Sequence, residues 1–414
     1  MGKGKGKKGH EMTLPLEGIR VADFTWVWAG PFCTLQLAHL GAEVIRIESA
    51  KRTCVTRLLP PFADGTPGPN RSGYFNQYNQ GKRSLALDLK HPDAVGVAKD
   101  LVARCDVVCE NFAAGVMDRM GLGYEALRQI KPDLIMIALS GYGATGPESQ
   151  FVSYGPAQVP LSGMSSLTGY AGWPPMHVGI SYGDPNGGMF GAAAVLAALL
   201  HRAATGEGQY IDLSQQETSV AVLAEGVLEQ SLHGRQPPRD GNRDPHMAPH
   251  GVFRCAGEQR WVAIAVRDDA EWRRFATAIG RPALAEDPRY ATLAARKRHE
   301  DELEALISEW TQPQPPEQVV ATLQRERIPA SLSMHSQDIA EDAHLAQSGF
   351  FVRLPHREVG TRLHLGIPWR MSDAECTVRR VAPCLGEHTD EVLRDVVGYG
   401  AERIAELRQR GVLT

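Results

Sequence analysis

Residues 18–48 read GIRVADFTWVWAGPFCTLQLAHLGAEVIRIE, two apolar runs separated by a helix-length segment. Residues 18–24 and 42–48 predict buried strands, and residues 32–40 predict a helix that ends at Gly41. A strand, a helix and a strand within about thirty residues form a βαβ unit, which implies a parallel sheet with a right-handed crossover. The intervening turn has no G-x-G-x-x-G pattern, so a nicotinamide or flavin dinucleotide is not expected.

The same alternation continues along the chain and predicts a doubly wound α/β architecture. A shift toward Gly, Pro, Arg, Asp and His at 225–250 then predicts a domain boundary. One strand and several helical patterns follow and predict a smaller α+β domain, and the pattern changes again after Pro329. Further strands of the large layer are predicted at 83–89, 106–110, 134–139 and 209–213.

Composition bounds the class of protein. The 414 residues are 43% hydrophobic and 22% charged, with a formal net charge of −4. These values are those of an ordinary globular protein and argue against a nucleic-acid or membrane-surface partner. The longest apolar run, 189–200, is shorter than the roughly 20 residues that span a bilayer. Seven scattered cysteines without a signal peptide predict reduced thiols, a cytoplasmic location and no metal site, and the lysine–glycine segment 1–13 predicts a disordered basic tail.

Residues 183–188, GDPNGG, precede a run of small apolar residues of helical length. Asp184 is placed as an N-cap and Pro185 as the first helical residue. Amide N–H groups and the helix dipole would keep this carboxylate ionised and accessible, and the glycines would let a bulky reactant approach the backbone. Asp184 is therefore a candidate covalent nucleophile. The alternative is that it serves as a helix cap and nothing more.

Taken together in chain order, several short motifs resemble the class III CoA-transferase family, of the CaiB/BaiF type that includes formyl-CoA, carnitine and succinyl-CoA:benzylsuccinate transferases. Each motif is weak alone, and their order makes the resemblance specific from Leu16 onward. The motifs are VADFT at 21–25 with AGP at 29–31, LGAEVIRIE at 40–48, KRSLALDLK at 82–90, ENF at 110–112, DRMG at 118–121 and GD at 183–184.

The resemblance implies a Rossmann-like large domain built from both ends of the chain, with a small domain inserted. Residues 14–224 and 329–414 would form the large domain, and residues 225–328 the small one. Family members form dimers of interlocked, ring-like chains, so a homodimer is expected, with a heteromer containing a related chain as the alternative.

The resemblance also implies site residues. Asp184 matches the catalytic aspartate, and CoA enters as a substrate rather than as a tightly bound cofactor. Lys90 and Arg119 could pair with phosphates, although each could also be a solvated surface charge. The positions that match the family's CoA contacts are Trp28, Ala29, Leu87, Lys90, Asn111, Phe112 and Arg119.

Three positions depart from formyl-CoA transferase and make formate and oxalate poor substrate predictions. Trp28 replaces a glutamine, Ser49 replaces an arginine that packs on adenine, and Tyr154 replaces a glutamate near the nucleophile. Lys51 or Arg52 could take over the role of the missing arginine. A set of aromatic side chains predicts a larger acceptor, an aromatic or branched dicarboxylate, and the resemblance implies succinyl-CoA as the donor. The aromatic residues are Trp26, Trp28, Phe32, Tyr142, Tyr154, Trp173 and Tyr182, and most of them could equally be core residues.

The implied reaction proceeds through an aspartyl anhydride and an aspartyl-CoA thioester, with oxyanion donors expected from Gly187 and Gly188. The first alternative is an α-methylacyl-CoA racemase, which pairs the aspartate with a histidine. Tyr154 stands at that histidine position, and a phenol with a pKa of about 10 is a poor base. The second alternative is a subunit of a heteromeric transferase.

Overall fold

The computed structural model describes residues 14–414, so the predicted disordered tail at 1–13 lies outside the described residues. Its main sheet has six parallel strands in the order β3-β2-β1-β4-β5-β6, which confirms the predicted doubly wound α/β layer. Val21 of the first strand pairs with Val44 on one side and Val107 on the other. The strands are β1 Arg20–Asp23, β2 Glu43–Glu48, β3 Arg83–Ala86, β4 Val107–Glu110, β5 Ile135–Ser140 and β6 Tyr210–Ser214.

Helices cover both faces of this sheet, and the strands bury alternate side chains in two separate cores. Ala22 and Ile45 belong to the core of one face, and Val21 and Val44 to that of the other. The α-helices of the described chain, in both of its compact units, are α1 Ala29–His39, α2 Gly73–Tyr78, α3 Ala94–Val102, α4 Val116–Arg119, α5 Tyr124–Arg128, α6 Gly155–Leu161, α7 Met164–Leu167, α8 Gly183–Thr205, α9 Gln215–Ala221, α10 Ala224–His233, α11 Asp269–Ala278, α12 Leu293–Arg298, α13 Glu300–Thr311, α14 Pro316–Arg325, α15 Ser336–Ala340, α16 Ala343–Gln347, α17 Thr389–Glu391 and α18 Ala401–Gln409; α11 to α15 lie in the second unit.

The absence of a side chain at Gly188 allows the long helix α8 to pack closely against α1. A side chain at Gly188 would meet the backbone of α1, with Ala29 O at 2.7 Å and Cys33 N at 3.1 Å from the position of a Cβ atom. Gly206 ends α8 in the left-handed conformation, as the Thr205-Gly206 pair predicts. By length and composition alone α8 could cross a membrane, and it extends well beyond the apolar run 189–200. About a third of its apolar window is buried in the single chain, including the glycines that face α1.

The described chain divides into two compact units. The first contains the chain up to Ser165, then His177–Gly234 and Leu345–Thr414, and includes the antiparallel hairpin β10 Phe351–His356 and β11 Gly360–Leu365. The second contains Ser166–Met176 and Arg235–His344. The predicted small domain, 225–328, therefore differs from the second unit at both limits, and α10 lies in the first unit.

The second unit has its own antiparallel sheet and its own core. Its strands are β7 His250–Arg254, β8 Trp261–Ala265 and β9 Ala330–Leu332, in that order. Trp272 stacks on Phe275 with ring centroids 5.5 Å apart, and both are fully buried. Independent burial of this kind is what a separate α+β domain requires.

Candidate active site

A cavity of about 730 Å³ opens at the carboxyl ends of the parallel strands. Open α/β sheets bind ligands at this edge, where the strand order reverses, which here lies between β1 and β4. Residues that follow all six strands line the cavity: Trp26 and Val27 after β1, Ser49 to Arg52 after β2, Leu87 to Lys90 after β3, Asn111 to Ala114 after β4, Gly141 and Tyr142 after β5, and Gln215 after β6.

The Asp184 side chain lies in the wall of this cavity. It is the second residue of α8 and is 7% exposed. The backbone N–H group of Ala29, at the start of α1, lies close enough to the carboxylate to lower its pKa. Gly155 lies directly against the carboxylate, and any side chain at that position would overlap it.

Burial changes the electrostatic state of this carboxyl group. Removal from water raises the pKa of Asp184 to about 7 and outweighs the Ala29 N–H group, which lowers it. At pH 7 the carboxyl group is therefore only partly ionised, and it is less accessible than the sequence predicts, because α1 and α6 pack against the helix start. Helix α8 also begins two residues earlier than predicted, with Tyr182 as the N-cap residue and Asp184 inside the first turn.

The glycines after Asp184 have a packing role. Gly187 and Gly188 are the fifth and sixth residues of α8, where backbone N–H groups bond to the preceding turn of the helix. A side chain at Gly187 would collide with Gln215, and one at Gly188 with α1. These glycines therefore bring neighbouring elements close, and the expectation that they admit a reactant or supply oxyanion donors is wrong.

The turn between β1 and α1 is held by side chains from other elements. Asn111 accepts from the Trp26 N–H group at 2.7 Å and donates to the Trp26 carbonyl at 2.8 Å. Val27, in the same turn, has φ of 64°, an unfavourable value for a β-branched residue. These two hydrogen bonds hold Val27 in that conformation, and Val27 lines the cavity.

A buried ion pair also stabilises the turn between β1 and α1. The Lys82 ammonium lies 3.0 Å from Asp23 and also donates to the Thr34 hydroxyl at 2.7 Å. Burial lowers the pKa of Lys82 to about 8. Burial alone would raise the pKa of Asp23, but the positive charges of Lys82 and Arg46 outweigh it and keep the pKa of the Asp23 carboxyl below its usual value. Paired and hydrogen-bonded buried charges fix the geometry around them.

An aromatic group lies beside Asp184. The Trp28 ring contacts Tyr74 and Tyr78, with centroids 5.8 Å and 5.1 Å away, and Phe32 contacts Tyr78 at 5.8 Å. Burial and the nearby Asp184 carboxylate raise the pKa values of both tyrosines, so both phenols stay neutral at physiological pH. Both tyrosines belong to α2, a helix inside the segment 50–80, which is rich in Gly, Pro and Asn.

Cationic side chains line another part of the cavity. The Arg52 guanidinium lies over the Trp26 ring, 5.2 Å from its centroid, and Trp26 contacts Phe112 edge to face at 6.3 Å. Lys51 pairs with Asp88 at 3.0 Å. Together with Lys90, these side chains could meet an anionic ligand that carries an aromatic ring.

A family model for CoA-transferase family III matches residues 16–389, nearly the whole chain. The chain belongs to CoA-transferase family III. The chain is 33% identical to the formyl-CoA:oxalate CoA-transferase of Rhodopseudomonas palustris strain HaA2, over 97% of this chain and 98% of the relative. It is 34% identical to the succinate–glutarate CoA-transferase of Agrobacterium fabrum, over 92% and 96%. The structure superposes on the crystal structure of a CaiB/BaiF family protein from Brucella suis with a TM-score of 0.85. The two sequences are 31% identical, and the match covers 92% of this chain and 99% of the Brucella suis chain.

These comparisons confirm the predicted family and make the protein a class III CoA-transferase. Its sheet places four of the predicted CoA positions in the cavity wall with Asp184, namely Leu87, Lys90, Asn111 and Phe112. Ala29 and Trp28 lie on the α1 side of Asp184, outside the cavity lining. Arg119, in α4, is exposed and also lies outside the lining.

The residues connected with the racemase alternative are placed differently. Tyr154 lines the cavity of the transferase and is 68% exposed, and His177 is exposed on the chain that precedes α8. Among the described residues, no histidine lines the cavity. Between Leu14 and Thr414 no group of three His, Cys, Asp or Glu side chains is arranged to hold a metal ion.

Proposed function

We propose that this transferase uses Asp184 as a covalent nucleophile to move CoA from an acyl-CoA donor to a carboxylic acid. The observation that carries the proposal is the position of its carboxylate, in the wall of a cavity at the ligand-binding edge of the sheet, with the Ala29 N–H group close to it. A cavity that is lined by four of the family's CoA positions and by the buried carboxylate of Asp184 suits acyl transfer.

The proposed reaction conserves the energy of the thioester. An Asp184 oxygen attacks the donor thioester carbonyl, the C–S bond breaks, and an aspartyl anhydride and CoA thiolate form. The thiolate then attacks the aspartyl carbonyl, which releases the donor acid and leaves an aspartyl-CoA thioester. The acceptor carboxylate attacks this thioester, which expels CoA thiolate and forms a second aspartyl anhydride. The thiolate then attacks the acceptor's carbonyl carbon in this anhydride, which forms the new acyl-CoA and frees the Asp184 carboxylate. Each step exchanges one activated acyl group for another, so no nucleotide is consumed.

Ala29 is the backbone donor that this chemistry would use. Its N–H group lies close enough to the Asp184 carboxylate to lower the pKa of that group, so it is near when the carboxylate becomes an acyl carbonyl. Negative charge develops on the carbonyl oxygen during each attack, and a fixed N–H donor stabilises it without reorganisation. Ala29 thus takes the role that the glycines after Asp184 were expected to have.

The acids are proposed to be dicarboxylates, with succinyl-CoA as the donor. The relative from Agrobacterium fabrum is named for succinate and glutarate, which supports this class. The aromatic group of Trp28, Tyr74 and Tyr78 beside Asp184 suits an acceptor with an aromatic or branched chain. The relative named for formyl-CoA and oxalate is equally similar, so formate and oxalate belong in the same substrate panel.

The assembly and location are also proposals. We expect an interlocked homodimer in the cytoplasm, with CoA binding as a substrate along Leu87, Lys90, Asn111 and Phe112. The positions of these residues after β3 and β4, on one cavity wall, support that path. A heteromer with a related chain would instead need a second polypeptide for activity, which expression of this chain alone would reveal.

Covalent trapping tests the proposal directly. The protein is incubated with succinyl-CoA, treated with hydroxylamine and digested, and mass spectrometry should find a hydroxamate at Asp184. The Asp184→Ala variant should carry no label, and its transfer rate should fall at least 10³-fold. Calorimetry should show that this variant still binds CoA. The matched control is Asp301→Asn, an exposed carboxylate in the second unit, which should retain both. Full transfer by Asp184→Ala, or a label elsewhere, would refute the mechanism.

A further inference from the structure

The Lys82 side chain is fully buried and lies outside the cavity lining, in the residue that precedes β3. A buried ammonium group is stable where its three hydrogens find acceptors, and those of Lys82 do. The acceptors, with their distances from the Lys82 nitrogen, are an Asp23 carboxylate oxygen at 3.0 Å, the Pro31 carbonyl at 3.1 Å, the Thr34 hydroxyl at 2.7 Å and the Asn79 side-chain oxygen at 3.0 Å.

These acceptors belong to three different elements. Asp23 ends β1, Pro31 and Thr34 lie in the first two turns of α1, and Asn79 is the C-cap residue of α2. The Thr34 hydroxyl also donates to the second partner of Lys82, Asp23, at 2.8 Å. One ammonium group therefore joins the end of a strand, the start of one helix and the end of another.

Two of these elements reach Asp184. Ala29, whose N–H group lowers the pKa of the Asp184 carboxyl, is two residues before Pro31 in the first turn of α1. Helix α2 contains the two tyrosines whose pKa values Asp184 raises. The N-cap residue of α1, Trp28, makes no side-chain capping bond, so the Lys82 contacts are a main support of this helix start.

We propose that Lys82 is a positioning residue for the transfer reaction, because its ammonium group fixes the first turn of α1 and thereby keeps the Ala29 N–H group beside Asp184. This inference rests on the proposed function. A neutral side chain of the same length cannot donate to three acceptors at once, so the ammonium group itself is required.

The effect on Asp184 is transmitted by position and not by charge. Burial and the Ala29 N–H group are what shift the pKa of Asp184. The titratable and charged groups around Lys82 are instead Asp23 of β1, Arg46 of β2, and Cys33 and His39 of α1. Loss of the ammonium group should therefore change the pKa of Asp184 through movement of the Ala29 N–H group.

The principal test uses Lys82→Met combined with Asp23→Asn in the full-length protein. Lys82→Met alone would leave the Asp23 charge buried without a partner, whereas the double variant removes both charges and so avoids that penalty. Hydrogen exchange followed by mass spectrometry should be faster in the peptide that contains Ala29. The midpoint of the acid limb of kcat/KM should rise by about 0.5–1 pH unit, because a lost N–H contact raises the pKa of Asp184.

The kinetic constants of the double variant should change unequally. Above the acid limb, kcat should fall about tenfold, because the reacting carboxylate and its donor are no longer aligned. Calorimetry should give a CoA affinity within about twofold of wild type, since Lys82 lies outside the cavity lining. A residue that acts on stability alone would change neither the midpoint nor kcat of the folded fraction.

Thr34→Val is a milder second variant that keeps both charges. It removes one contact between the ammonium group and α1, so it should fold and show the same changes at a smaller size, about twofold to threefold in kcat. The matched control is Lys131→Met, which removes an ion pair with Asp133 at 2.7 Å before the start of β5, at the edge of the sheet opposite the cavity. This control should keep the wild-type exchange, midpoint and kcat.

Failure of this inference can be distinguished from failure of the proposed function. If hydroxylamine trapping finds no acylated Asp184 in the wild-type protein, both proposals are overturned. If Asp184 is acylated but the double variant, or Thr34→Val where the double variant does not fold, keeps the wild-type midpoint and kcat, this inference alone is overturned. Unchanged exchange in the peptide that contains Ala29 would also overturn it.

Discussion

At the scale of single residues, Asp184 is the proposed nucleophile, and its charge also destabilises the folded protein. The folded protein holds the pKa of this carboxyl at about 7, well above its usual value of 3.8, because burial penalises the charge. A raised folded-state pKa means that the proton binds more tightly to the folded protein than to the unfolded chain. Stability therefore falls as the pH rises from about 4 to about 7.

Asp184→Asn should consequently stabilise the protein at pH 8 and have little effect at pH 4. The amide has the same shape, can accept from the Ala29 N–H group, and carries no charge to bury. The gain at pH 8 is at most about 4 kcal/mol from the size of the shift. Urea unfolding at both pH values measures it, with the exposed Asp301→Asn as a control expected to stay within about 0.5 kcal/mol. A loss of stability at pH 8 would contradict the buried charge.

The same pKa should appear in the kinetics. Attack on a thioester needs the ionised carboxylate, so kcat/KM should rise about tenfold per pH unit below 7 and level off above it. Tyr74 and Tyr78 stay neutral over this range because their pKa values are raised. Initial rates between pH 5 and 8, with product acyl-CoA quantified by chromatography, test this. A flat profile down to pH 5 would show an Asp184 that is already ionised there.

At the scale of elements, the close contact of α8 with α1 determines where Asp184 meets the Ala29 N–H group. Gly188→Ala would place a Cβ atom 2.7 Å from the Ala29 carbonyl, so the two helices must separate. We expect a loss of about 1–3 kcal/mol in the free energy of unfolding, together with a reduced kcat. Denaturant midpoints and initial rates measure the two effects.

Gly96→Ala is the matched control for that experiment. Gly96 is also helical, in α3, but a Cβ atom there would meet nothing within 4 Å. Alanine at this position should therefore raise the free energy of unfolding by about 0.5–1 kcal/mol, because it has a higher helix propensity than glycine, and it should leave kcat unchanged. Equal effects of the two substitutions would mean that glycine at 188 is not required for close packing.

Local patterns were enough to predict the elements of the sheet and the position of its ligand edge. The βαβ unit at 18–48 and the later apolar runs correspond to β1 through β6 because each run is short, buried and bounded by turn residues. The burial of Asp184 was not predictable in this way, since α1 and α6 bury it from distant parts of the sequence. The same holds for Tyr74 and Tyr78, whose helix lies in a segment rich in Gly, Pro and Asn.

At the scale of the whole molecule, helix α10 exposes several apolar side chains. No residue of α10 is buried in the single chain, and Val227, Leu228 and Leu232 are 53%, 53% and 72% exposed. A contiguous apolar face of this kind is expected to be covered by another surface. A second copy of this chain is the partner that the proposed interlocked dimer supplies.

Light scattering after size exclusion should therefore give twice the chain mass of 45.1 kDa. If the chains interlock, the dimer cannot separate without opening a chain, so the mass should stay constant on dilution to nanomolar concentration, as fluorescence correlation would show. Replacing Leu228 and Leu232 by Lys should lower the melting temperature and the yield of dimer. Ile130→Lys, a substitution at an apolar residue that is 40% exposed near α5, should change neither. An active monomer at micromolar concentration would refute the interlocked assembly, because no folded single chain should persist if the two rings stabilise each other.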